Sequence, residues 1–298
     1  DEPRDRARGG LDGTAAASDG LVRPHLIGLP VYKMTGSGND FVMVDGRLTS
    51  PEQWTPEDIR SVCARGVGIG ADGLVVVAPG STADSARMTY FNSDGSRAAM
   101  CGNAALCSTR LAALLGLAPE RMRLETDAGT YDSRALGGAD RAQLHLATVP
   151  APSTPRITPA AGESRIGFAT VGVPHLVVVV EDLDAVDLLR RGRALRHDAA
   201  LGAAGANVNF IAPADARGAW EMRTYERGIE AETLACGTGA VAAACMLREW
   251  RLAELPATIM TRTGLPLVVR AERARDGSYG DVWLEGQARL VFRGVLAG

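Results

Sequence analysis

TYFNSDGSRAAMCGN, residues 89–103, and TYERGIEAETLACGT, residues 224–238, are two copies of one pattern in this chain. In both copies a Thr-Tyr pair precedes a Cys-Gly pair by the same number of residues, and Cys236 follows Cys101 by 135 positions. Small and apolar residues follow each Cys-Gly pair, which is typical of a helix. The pattern therefore predicts a duplicated fold in which each half presents one thiol at the start of a helix.

The repeat extends beyond the two thiols. Gly-Ala-Asp at 70–72 matches Gly-Ala-Asn at 205–207, again 135 positions apart, and each triplet leads into an apolar, strand-like run. GNDFV at 38–42 matches GVPHL at 172–176 at a spacing of 134 positions. A period this long lies outside the range of solenoid repeats and corresponds to domains of ordinary size. We therefore expect two homologous halves.

The composition is that of a globular protein large enough for two cores. The chain has 298 residues, of which 46% are hydrophobic, and a formal net charge of −3. This charge gives no indication of a nucleic-acid partner. No apolar stretch approaches the ~20 residues of a membrane span, and the longest apolar strand-like run lies at 176–180. We expect neither a nucleic-acid partner nor a membrane partner.

The N-terminus and the cysteines indicate a reducing compartment. Residues 1–26 lack periodicity and the apolar core of a signal peptide, and we expect a disordered extension there. Free thiols without a secretory signal are typical of the cytoplasm. Cys63, Cys107 and Cys245 lie in apolar, helix-like sequence and are predicted to be buried. The spacing of Cys101 and Cys107 matches no common zinc motif, so we expect no metal site.

The position of the two repeated cysteines predicts their chemistry. Strand-like residues 88–92 and 220–226 precede the two turns, and helix-like residues 104–117 and 240–250 follow them. A thiol at a helix N-terminus is stabilised as thiolate by unpaired N–H groups, so we expect its pKa to fall from ~8.5 toward neutrality. The same N–H groups bind carboxylates. One thiolate that removes an α-proton, and one thiol that protonates the opposite face, would make a racemase or epimerase without a cofactor.

Six ordered motifs add a specific resemblance. They are KMTGSGNDF at 33–41, GIGADG at 68–73, NSDGS with MCGN at 92–103, GVPH at 172–175, NV at 207–208, and ERG with ETLACGTG at 226–239. With these motifs the chain resembles the diaminopimelate epimerase family over residues 31–295. Such an ordered set is far more specific than any one of its motifs.

The resemblance implies a fold and an activity. The fold is mixed α/β, with two pseudo-symmetric domains, each a mixed sheet curled around a central helix, and the site lies between them. The first domain is expected at 27–146 together with 287–298, and the second at 147–286. The activity is the interconversion of LL- and meso-diaminopimelate in lysine biosynthesis, without pyridoxal phosphate or another cofactor. Family members are cytoplasmic isomerases and are commonly homodimers.

The resemblance also implies roles for the matched residues. Cys101 and Cys236 are the acid–base pair, and His175 is expected to tune them. Arg227 would pair with the distal carboxylate, and Glu226 would hold an ammonium group. The expected substrate-binding residues are Asn39, Asn92, Gly102, Asn103, Asn207, Glu226, Arg227, Gly237 and Thr238.

Two departures from the family pattern concern the substrate site. Val173 stands where the family has an Asn, at the position that matches Asn39 in the other half. Loss of an amide in a polar site changes affinity or substrate preference. The segment 226–233 is one residue longer than its common family form. Both departures leave the acid–base chemistry intact and concern the choice of substrate.

Three other interpretations are compatible with parts of this pattern. A racemase of the same fold for another amino acid, such as histidine or proline, also uses two thiols, although proline racemases have His where this chain has Asn103. A phenazine-type isomerase of this architecture lacks the cysteine pair. A non-enzymatic dithiol redox or binding protein needs the thiols but not the matched Asn and Arg residues. A Cys101–Cys236 disulfide is interpreted as an oxidised, inactive form.

Overall fold

The computed structural model describes residues 22–215 and 218–297, which leaves most of the expected N-terminal extension outside the description. Of the extension expected at 1–26, the last five residues are described, and they belong to the fold. Val22 and Leu26 are buried in an apolar cluster together with strand residues. The expected boundary at residue 26 is therefore corrected, because burying these two side chains is more favourable than leaving them in water.

In the described residues, each half of the chain contains eight strands and two α-helices. The first half has β1 (Pro30–Gly36), β2 (Asn39–Asp45), α1 (Pro56–Cys63), β3 (Gly73–Pro79), β4 (Ser85–Asn92), β5 (Arg97–Ala98), α2 (Gly102–Leu114), β6 (Arg121–Thr126), β7 (Gly129–Leu136) and β8 (Arg141–Leu146). The second half has β9 (Glu163–Val171), β10 (Val173–Val180), α3 (Leu188–Arg196), β11 (Asn207–Pro213), β12 (Ala219–Glu226), β13 (Ala231–Thr233), α4 (Gly237–Glu249), β14 (Ala257–Met260), β15 (Pro266–Arg273) and β16 (Tyr279–Gln287), and β17 (Arg289–Val295) follows it. Short 3-10 helices span Pro24–Leu26, Pro51–Gln53 and Ala199–Leu201.

The strands of the two halves pair in the same order. β1 and β2 are antiparallel, β2 and β3 parallel, β3 and β4 antiparallel, β4 and β6 parallel, and β6, β7 and β8 antiparallel. The strands of the second half repeat these pairings one for one. β8 pairs with β16 and joins the halves into one sheet, and β17 returns to pair with β1. The predicted mixed α/β fold with two repeated halves is confirmed.

The helices that follow the two Cys-Gly pairs form the centre of the core. α2 and α4 are buried along most of their length, in one apolar cluster that includes strands of both halves. A helix that is apolar all round is typical of such a position. The surrounding strands approach closely, since a Cβ on Gly167 of β9 would collide with Met246 of α4. A glycine at this position of β9 is therefore a requirement of the packing against α4.

The remaining two helices cover the opposite face of the sheet. Ile59 of α1 packs in a cluster with Val44 of β2, and Leu195 of α3 packs in a cluster with Val178 and Phe210 of β10 and β11. The parallel strands at the centre of each half are therefore buried on both faces. This explains why they are continuous apolar runs in the sequence and do not alternate with polar residues.

The structure corrects the register of the duplicated pattern. β4 and β12 start 134 positions apart, whereas α2 and α4 start 135 positions apart, because the turn after β12 has one more residue. Tyr90 therefore corresponds to Thr224, and not to Tyr225 as the matching Thr-Tyr pairs indicated. A shift of one residue moves a strand side chain to the opposite face. Tyr90 packs edge-on against Phe41 on the side of α2, and Tyr225 lies in the cluster of α3.

Candidate active site

Cys101 and Cys236 occupy the same place in the two halves, directly before the first turn of a helix. Cys101 is the N-cap of α2 and Cys236 is the N-cap of α4, both with extended backbone. The sequence predicted helix starts a few residues later, whereas the helices begin at Gly102 and Gly237. The first N–H groups of a helix have no partner within it, so these groups are available to an anion.

The two Cys-Gly turns meet at one point of the sheet. A Cβ on Gly237 would lie 2.8 Å from Cδ2 of Leu284, and a Cβ on Gly102 would lie 4.0 Å from the same methyl carbon. Leu284 belongs to β16 and pairs with Leu144 of β8, at the seam between the two halves. The structure thus brings two helix N-termini, each with a cysteine, to one place between the halves.

Both thiols have a higher pKa than the sequence analysis expected. Burial raises the pKa of Cys101 to about 11 and the pKa of Cys236 to about 12. Backbone N–H groups, among them those of Ala104 and Gly239, lower these pKa values, which is the expected direction. Loss of solvation outweighs the N–H groups, and the carboxylate of Glu226 raises the pKa of both thiols further. The expectation of pKa values near neutrality is therefore wrong for the thiols as the structure places them.

Glu226 and Arg227 lie where β12 ends. Glu226 is half-buried, and burial raises the pKa of its carboxyl group. The backbone N–H of Arg227 donates to Oδ1 of Asn207 at 2.8 Å. The charge of Arg227 contributes to lowering the pKa of His175. These interactions place a carboxylate near both thiols and a guanidinium group near His175.

In the first half, the predicted Asn side chains bond to one another and to Asp72. Nδ2 of Asn103 donates to Oδ1 of Asn39 at 2.7 Å, and Nδ2 of Asn39 donates to Oδ2 of Asp72 at 2.9 Å. These bonds connect the start of β2 with the first turn of α2. Asn92 ends β4, and its Nδ2 donates to Oγ of Ser96 at 3.0 Å, within its own turn. The side-chain contacts therefore join Asn39 to Asn103 and Asp72. The turn that begins at Asn92 is joined to the same place through the backbone, since the N–H of Ser93 donates to the carbonyl oxygen of Asp72 at 3.0 Å.

In the second half, a buried histidine is connected to Cys236 through a hydroxyl group. Nε2 of His175 lies 3.0 Å from Oγ1 of Thr238, and this hydroxyl oxygen lies 3.7 Å from Sγ of Cys236. His175 is fully buried on β10, and burial lowers its pKa to about 3. The imidazole is therefore neutral near pH 7. His175 lies one hydroxyl group away from the thiol that it was expected to tune.

Sequence analysis missed three polar side chains beside these residues. Nδ2 of Asn209 lies 3.2 Å from Nδ1 of His175 and donates to the carbonyl oxygen of Leu176 at 3.1 Å. The hydroxyl of Thr224 donates to Oδ1 of Asn209 at 2.9 Å. The sequence signal for Asn209 was a polar residue between apolar residues of one strand, which needs a buried partner. Thr224 lies in a strand with several other polar residues and gave no such signal. The third, Asp72, lies in a matched motif but had no role assigned to it.

The other three cysteines lie in the apolar core. Cys63, Cys107 and Cys245 are buried free thiols, as predicted. Burial raises the pKa of Cys63 and Cys245 to about 12, which makes them poor nucleophiles. Within the part of the chain that the structure describes, no group of three or more His, Cys, Asp or Glu side chains is placed to hold a metal ion. The described helices include none that is long and apolar enough to cross a membrane.

Comparison with known sequences gives one family. The sequence model of that family, described as diaminopimelate epimerase, matches residues 31–137 and 167–280. The diaminopimelate epimerase of Gemmatimonas aurantiaca is 48% identical over 275 residues, which cover 89% of this chain and 98% of the relative. The diaminopimelate epimerase of Chlorobaculum tepidum is 38% identical over 268 residues, which cover 88% of this chain and 99% of the relative. The relatives therefore match almost the full length of both chains.

Comparison with solved structures gives the same fold in several kinds of protein. A phenazine biosynthesis protein of the PhzF family from Bacillus anthracis has a TM-score of 0.67 at 15% identity, and the match covers 91% of this chain and 99% of that chain. A probable proline racemase from Agrobacterium radiobacter has a TM-score of 0.63 at 15% identity, with coverage of 90% and 93%. At these identities the likeness concerns the fold alone.

Proposed function

The chain belongs to the diaminopimelate epimerase family, and we propose that it interconverts LL- and meso-diaminopimelate by transferring protons at two thiols. As a member of this family the chain is an isomerase. The observation that carries the proposal is the meeting of two helix N-termini, one with Cys101 and one with Cys236, beside Leu284. The reaction uses no cofactor and serves lysine biosynthesis.

The α-carboxylate of the substrate binds to the free N–H groups at the starts of α2 and α4. Two helix N-termini at one place supply a positive potential for this anion. Gly102 and Gly237 have no Cβ, so the carboxylate approaches the backbone closely. Asn103 and Thr238, in the first turns, contact the amino end of the same carbon. A carboxylate held in this way sets Cα between the two sulfur atoms.

Cys101 and Cys236 then act as base and acid. The thiolate of one removes the α-proton and becomes a thiol, and the electron pair of the C–H bond stays on the substrate. The thiol of the other donates its proton to the opposite face of Cα and becomes a thiolate. Charge and atoms balance within these two transfers. The N–H groups at the carboxylate stabilise the negative charge that develops there.

The substrate itself supplies the charge that ionises a buried thiol. Burial and the carboxylate of Glu226 hold the pKa of both thiols high. The α-ammonium group of the substrate pairs with Glu226 and offsets its negative charge at both sulfur atoms. The pKa of one thiol is therefore lower in the enzyme with bound substrate than in the free enzyme.

The far end of the substrate is bound by polar side chains at strand ends. Arg227 pairs with the distal carboxylate in a charge-assisted hydrogen bond. The bond between its backbone N–H and Asn207 supports this assignment, because it holds the turn that carries the guanidinium group. Asn39 and Asn92, at the ends of strands in the first half, contact the remaining polar groups.

We further propose that the protein is a cytoplasmic homodimer. The support for a dimer is a strip of exposed apolar side chains on β17, Val291, Phe292 and Val295. In the described residues β17 pairs along one edge, with β1, and an exposed apolar edge strand favours association. Sedimentation of the reduced protein should give the mass of a dimer, and a monomer at micromolar concentration would contradict this part of the proposal.

A racemase for another amino acid is the second candidate, and Val173 is the observation that favours it. Val173 is half-buried at the start of β10, which corresponds to the position of Asn39 at the start of β2. An apolar side chain there removes one amide from a site that binds a polar substrate. Such a change alters which polar groups the site recognises.

An NMR assay of the reduced protein with LL-diaminopimelate in deuterium oxide tests the proposal. Loss of the α-proton signal together with formation of the meso isomer would support it. Cys101→Ala and Cys236→Ala, prepared in the same way, exclude a contaminating epimerase. Exchange with other amino acids alone would favour the second candidate. No exchange with any amino acid would overturn the enzymatic function and leave a dithiol redox or binding protein.

A further inference from the structure

A buried row of hydrogen bonds ends at Cys236, and the proton transfers proposed above do not use it. The row runs across three strands to the first turn of α4 and consists of Thr224, Asn209, His175, Thr238 and Cys236. Successive polar atoms are 2.9, 3.2, 3.0 and 3.7 Å apart. Asn209 and His175 are 0% exposed and Thr224 is 1% exposed. These groups depend on one another for hydrogen bonds, because buried polar groups need partners.

A backbone carbonyl fixes the orientation of the Asn209 amide. The carbonyl oxygen of Leu176 only accepts hydrogen bonds, so the side-chain atom of Asn209 that lies 3.1 Å from it is Nδ2. Oδ1 then faces Thr224 and accepts the hydrogen of its hydroxyl. The second hydrogen of Nδ2 faces Nδ1 of His175. The amide is therefore a donor to the imidazole ring.

This orientation decides which ring nitrogen of His175 carries the hydrogen. Nδ1 accepts from Asn209, and so the neutral ring carries its hydrogen on Nε2. The Nε2–H group donates to Oγ1 of Thr238. The hydroxyl hydrogen of Thr238 is then directed at Sγ of Cys236. Each hydrogen bond of the row from Asn209 to Cys236 is therefore donated in the direction of the sulfur atom.

We propose that Asn209 is a positioning residue, which fixes the Nε2–H tautomer of His175 and thereby makes the Thr238 hydroxyl a hydrogen-bond donor to Cys236. This inference rests on the proposed function of Cys236 as an acid–base group. A donor at the sulfur atom stabilises the thiolate relative to the thiol. Without the Asn209 donor the ring is free to adopt the Nδ1–H tautomer. Nε2 then accepts the hydroxyl hydrogen of Thr238, and Cys236 loses its donor.

The charged groups around the row act independently of Asn209. Glu226 and Cys101 act on Cys236, and Arg227 acts on His175. They lie at the end of β12, before α2 and in the turn after β12, and a substitution at Asn209 on β11 leaves their charges unchanged. A change at Cys236 that follows such a substitution is therefore assigned to the row.

Nitrogen-15 NMR of protein labelled at its four histidines measures the tautomer directly. The ring signals of His175 are assigned by their loss in His175→Gln. Wild-type protein should have an unprotonated Nδ1 and a protonated Nε2 near pH 7, and Asn209→Leu should have a substantial fraction with Nδ1 protonated. Thr224→Val is the matched control, since it removes a buried hydrogen bond of the same row and retains the Asn209 donor. It should keep the wild-type tautomer.

Alkylation measures the consequence at the sulfur atom. Wild-type and variant proteins are treated with iodoacetamide at one pH, and labelling of Cys236 is compared with that of Cys101 in the same sample by mass spectrometry. Asn209→Leu should lower the ratio of Cys236 to Cys101 labelling on the order of tenfold, the usual effect of losing a hydrogen bond to a charged group. Thr224→Val should leave the ratio near that of the wild type. In turnover, Asn209→Leu should lower kcat and leave KM nearly unchanged.

Three outcomes would overturn the proposal. One is a protonated Nδ1 in wild-type protein, which is decisive even if no variant folds. The second is a wild-type tautomer in folded Asn209→Leu. The third is an equal fall of the labelling ratio in Asn209→Leu and Thr224→Val, which would assign the effect to lost packing. The NMR and labelling readouts need no turnover, so failure of this proposal is distinguishable from failure of the proposed function.

Discussion

The surroundings of the two cysteines differ, although the backbone around them is repeated. Behind Cys236 lie three polar side chains that are joined by hydrogen bonds: His175, Asn209 and Thr224. The equivalent positions of the first half, 134 residues earlier, lie in the apolar cluster around α2 and hold Phe41, Val75 and Tyr90. Equivalent strands and helices therefore place hydrogen-bonded polar side chains on the side of Cys236 and the apolar cluster on the side of Cys101.

The comparison shows that duplication preserved the strand pairing and not the environment of the thiol. Cys101 is stabilised as thiolate by backbone N–H groups such as that of Ala104. Cys236 has the backbone N–H of Gly239 and also the hydroxyl of Thr238. We infer that the two thiols are unlike partners in one reaction. A pair of unlike thiols suits a reaction whose two directions start from different stereoisomers.

Removal of either thiol should have the largest effect on activity. It tests whether the reaction requires both thiols although their surroundings differ. Cys101→Ala and Cys236→Ala should each lower kcat for epimerisation by at least about 10²-fold, since each variant lacks the proton carrier of one face. Formation of the meso isomer is the measurement. Cys245→Ala, a buried thiol in the same helix as Cys236, is the control and should remain active. Near-normal turnover in one active-site variant, together with loss of turnover in the other, would show that one thiol suffices.

Mild oxidation should also abolish activity, in a reversible way, if the two sulfur atoms face each other. Cys101 and Cys236 should form a disulfide that dithiothreitol reduces with recovery of activity. Peptide mapping identifies the linked residues. Cys63, Cys107 and Cys245 should stay unmodified because they are buried in the core. Full activity in a sample without free Cys101 would rule out the facing arrangement.

Replacement of Glu226, whose carboxylate acts on both thiols, should have a moderate effect on Cys101 and on Cys236. Glu226→Gln should lower the pKa of Cys101 and of Cys236, because the carboxylate raises both. Both thiols should then be alkylated faster at a fixed pH. KM for diaminopimelate should rise on the order of tenfold through loss of the ammonium partner. If only Cys236 were alkylated faster, the carboxylate of Glu226 would raise the pKa of Cys236 and not that of Cys101.

The smallest expected effect concerns stability, and it contrasts His175 with its counterpart Phe41. Burial lowers the pKa of His175 from 6.5 to about 3, so between these pH values the unfolded chain binds a proton that the folded protein does not. The contribution of His175 to stability is complete above pH 6.5 and decreases by about 1.4 kcal/mol per pH unit below it.

Urea unfolding at pH 6 and pH 5 measures this contribution. His175→Phe, which copies the first half, should lose stability less steeply between these two pH values than the wild type. The other three histidines of the chain contribute equally to both proteins, so they cancel in the comparison. An unchanged pH dependence in the variant would show that His175 is already protonated in the folded protein.

Part of this account was accessible from sequence because it depends on local patterns. Apolar runs such as 176–180 predict buried strands, and the small residues after Cys101 and Cys236 predict buried helices. Several matched segments at nearly one spacing, among them the two cysteine motifs, were sufficient to indicate a duplicated fold. The helix starts were placed a few residues late because the cysteine and glycine before them have weak helix propensity.

The rest depends on contacts between distant segments. The pKa of the thiols was expected in the wrong direction, because burial by the whole fold outweighs the local helix terminus. The matching Thr-Tyr pairs gave the wrong alignment of the two halves. The extra residue in the turn after β12 means that Tyr225 lies on the opposite face of the sheet from the one that this alignment predicted. Asn209 has its partners on β10 and β12, in residues that lie 34 and 15 positions away in the chain. The substrate contacts of the matched Asn and Arg residues stay predictions.

The distribution of deuterium early in the reaction tests the two-thiol account most directly. LL-diaminopimelate is converted in deuterium oxide, and the recovered substrate and the meso product are separated and analysed by mass spectrometry well before equilibrium. If one thiol removes the proton and the other delivers one, the product carries deuterium at the inverted carbon and the recovered substrate keeps its hydrogen. Equal deuterium in substrate and product would show that a single group serves both faces, and it would contradict the account.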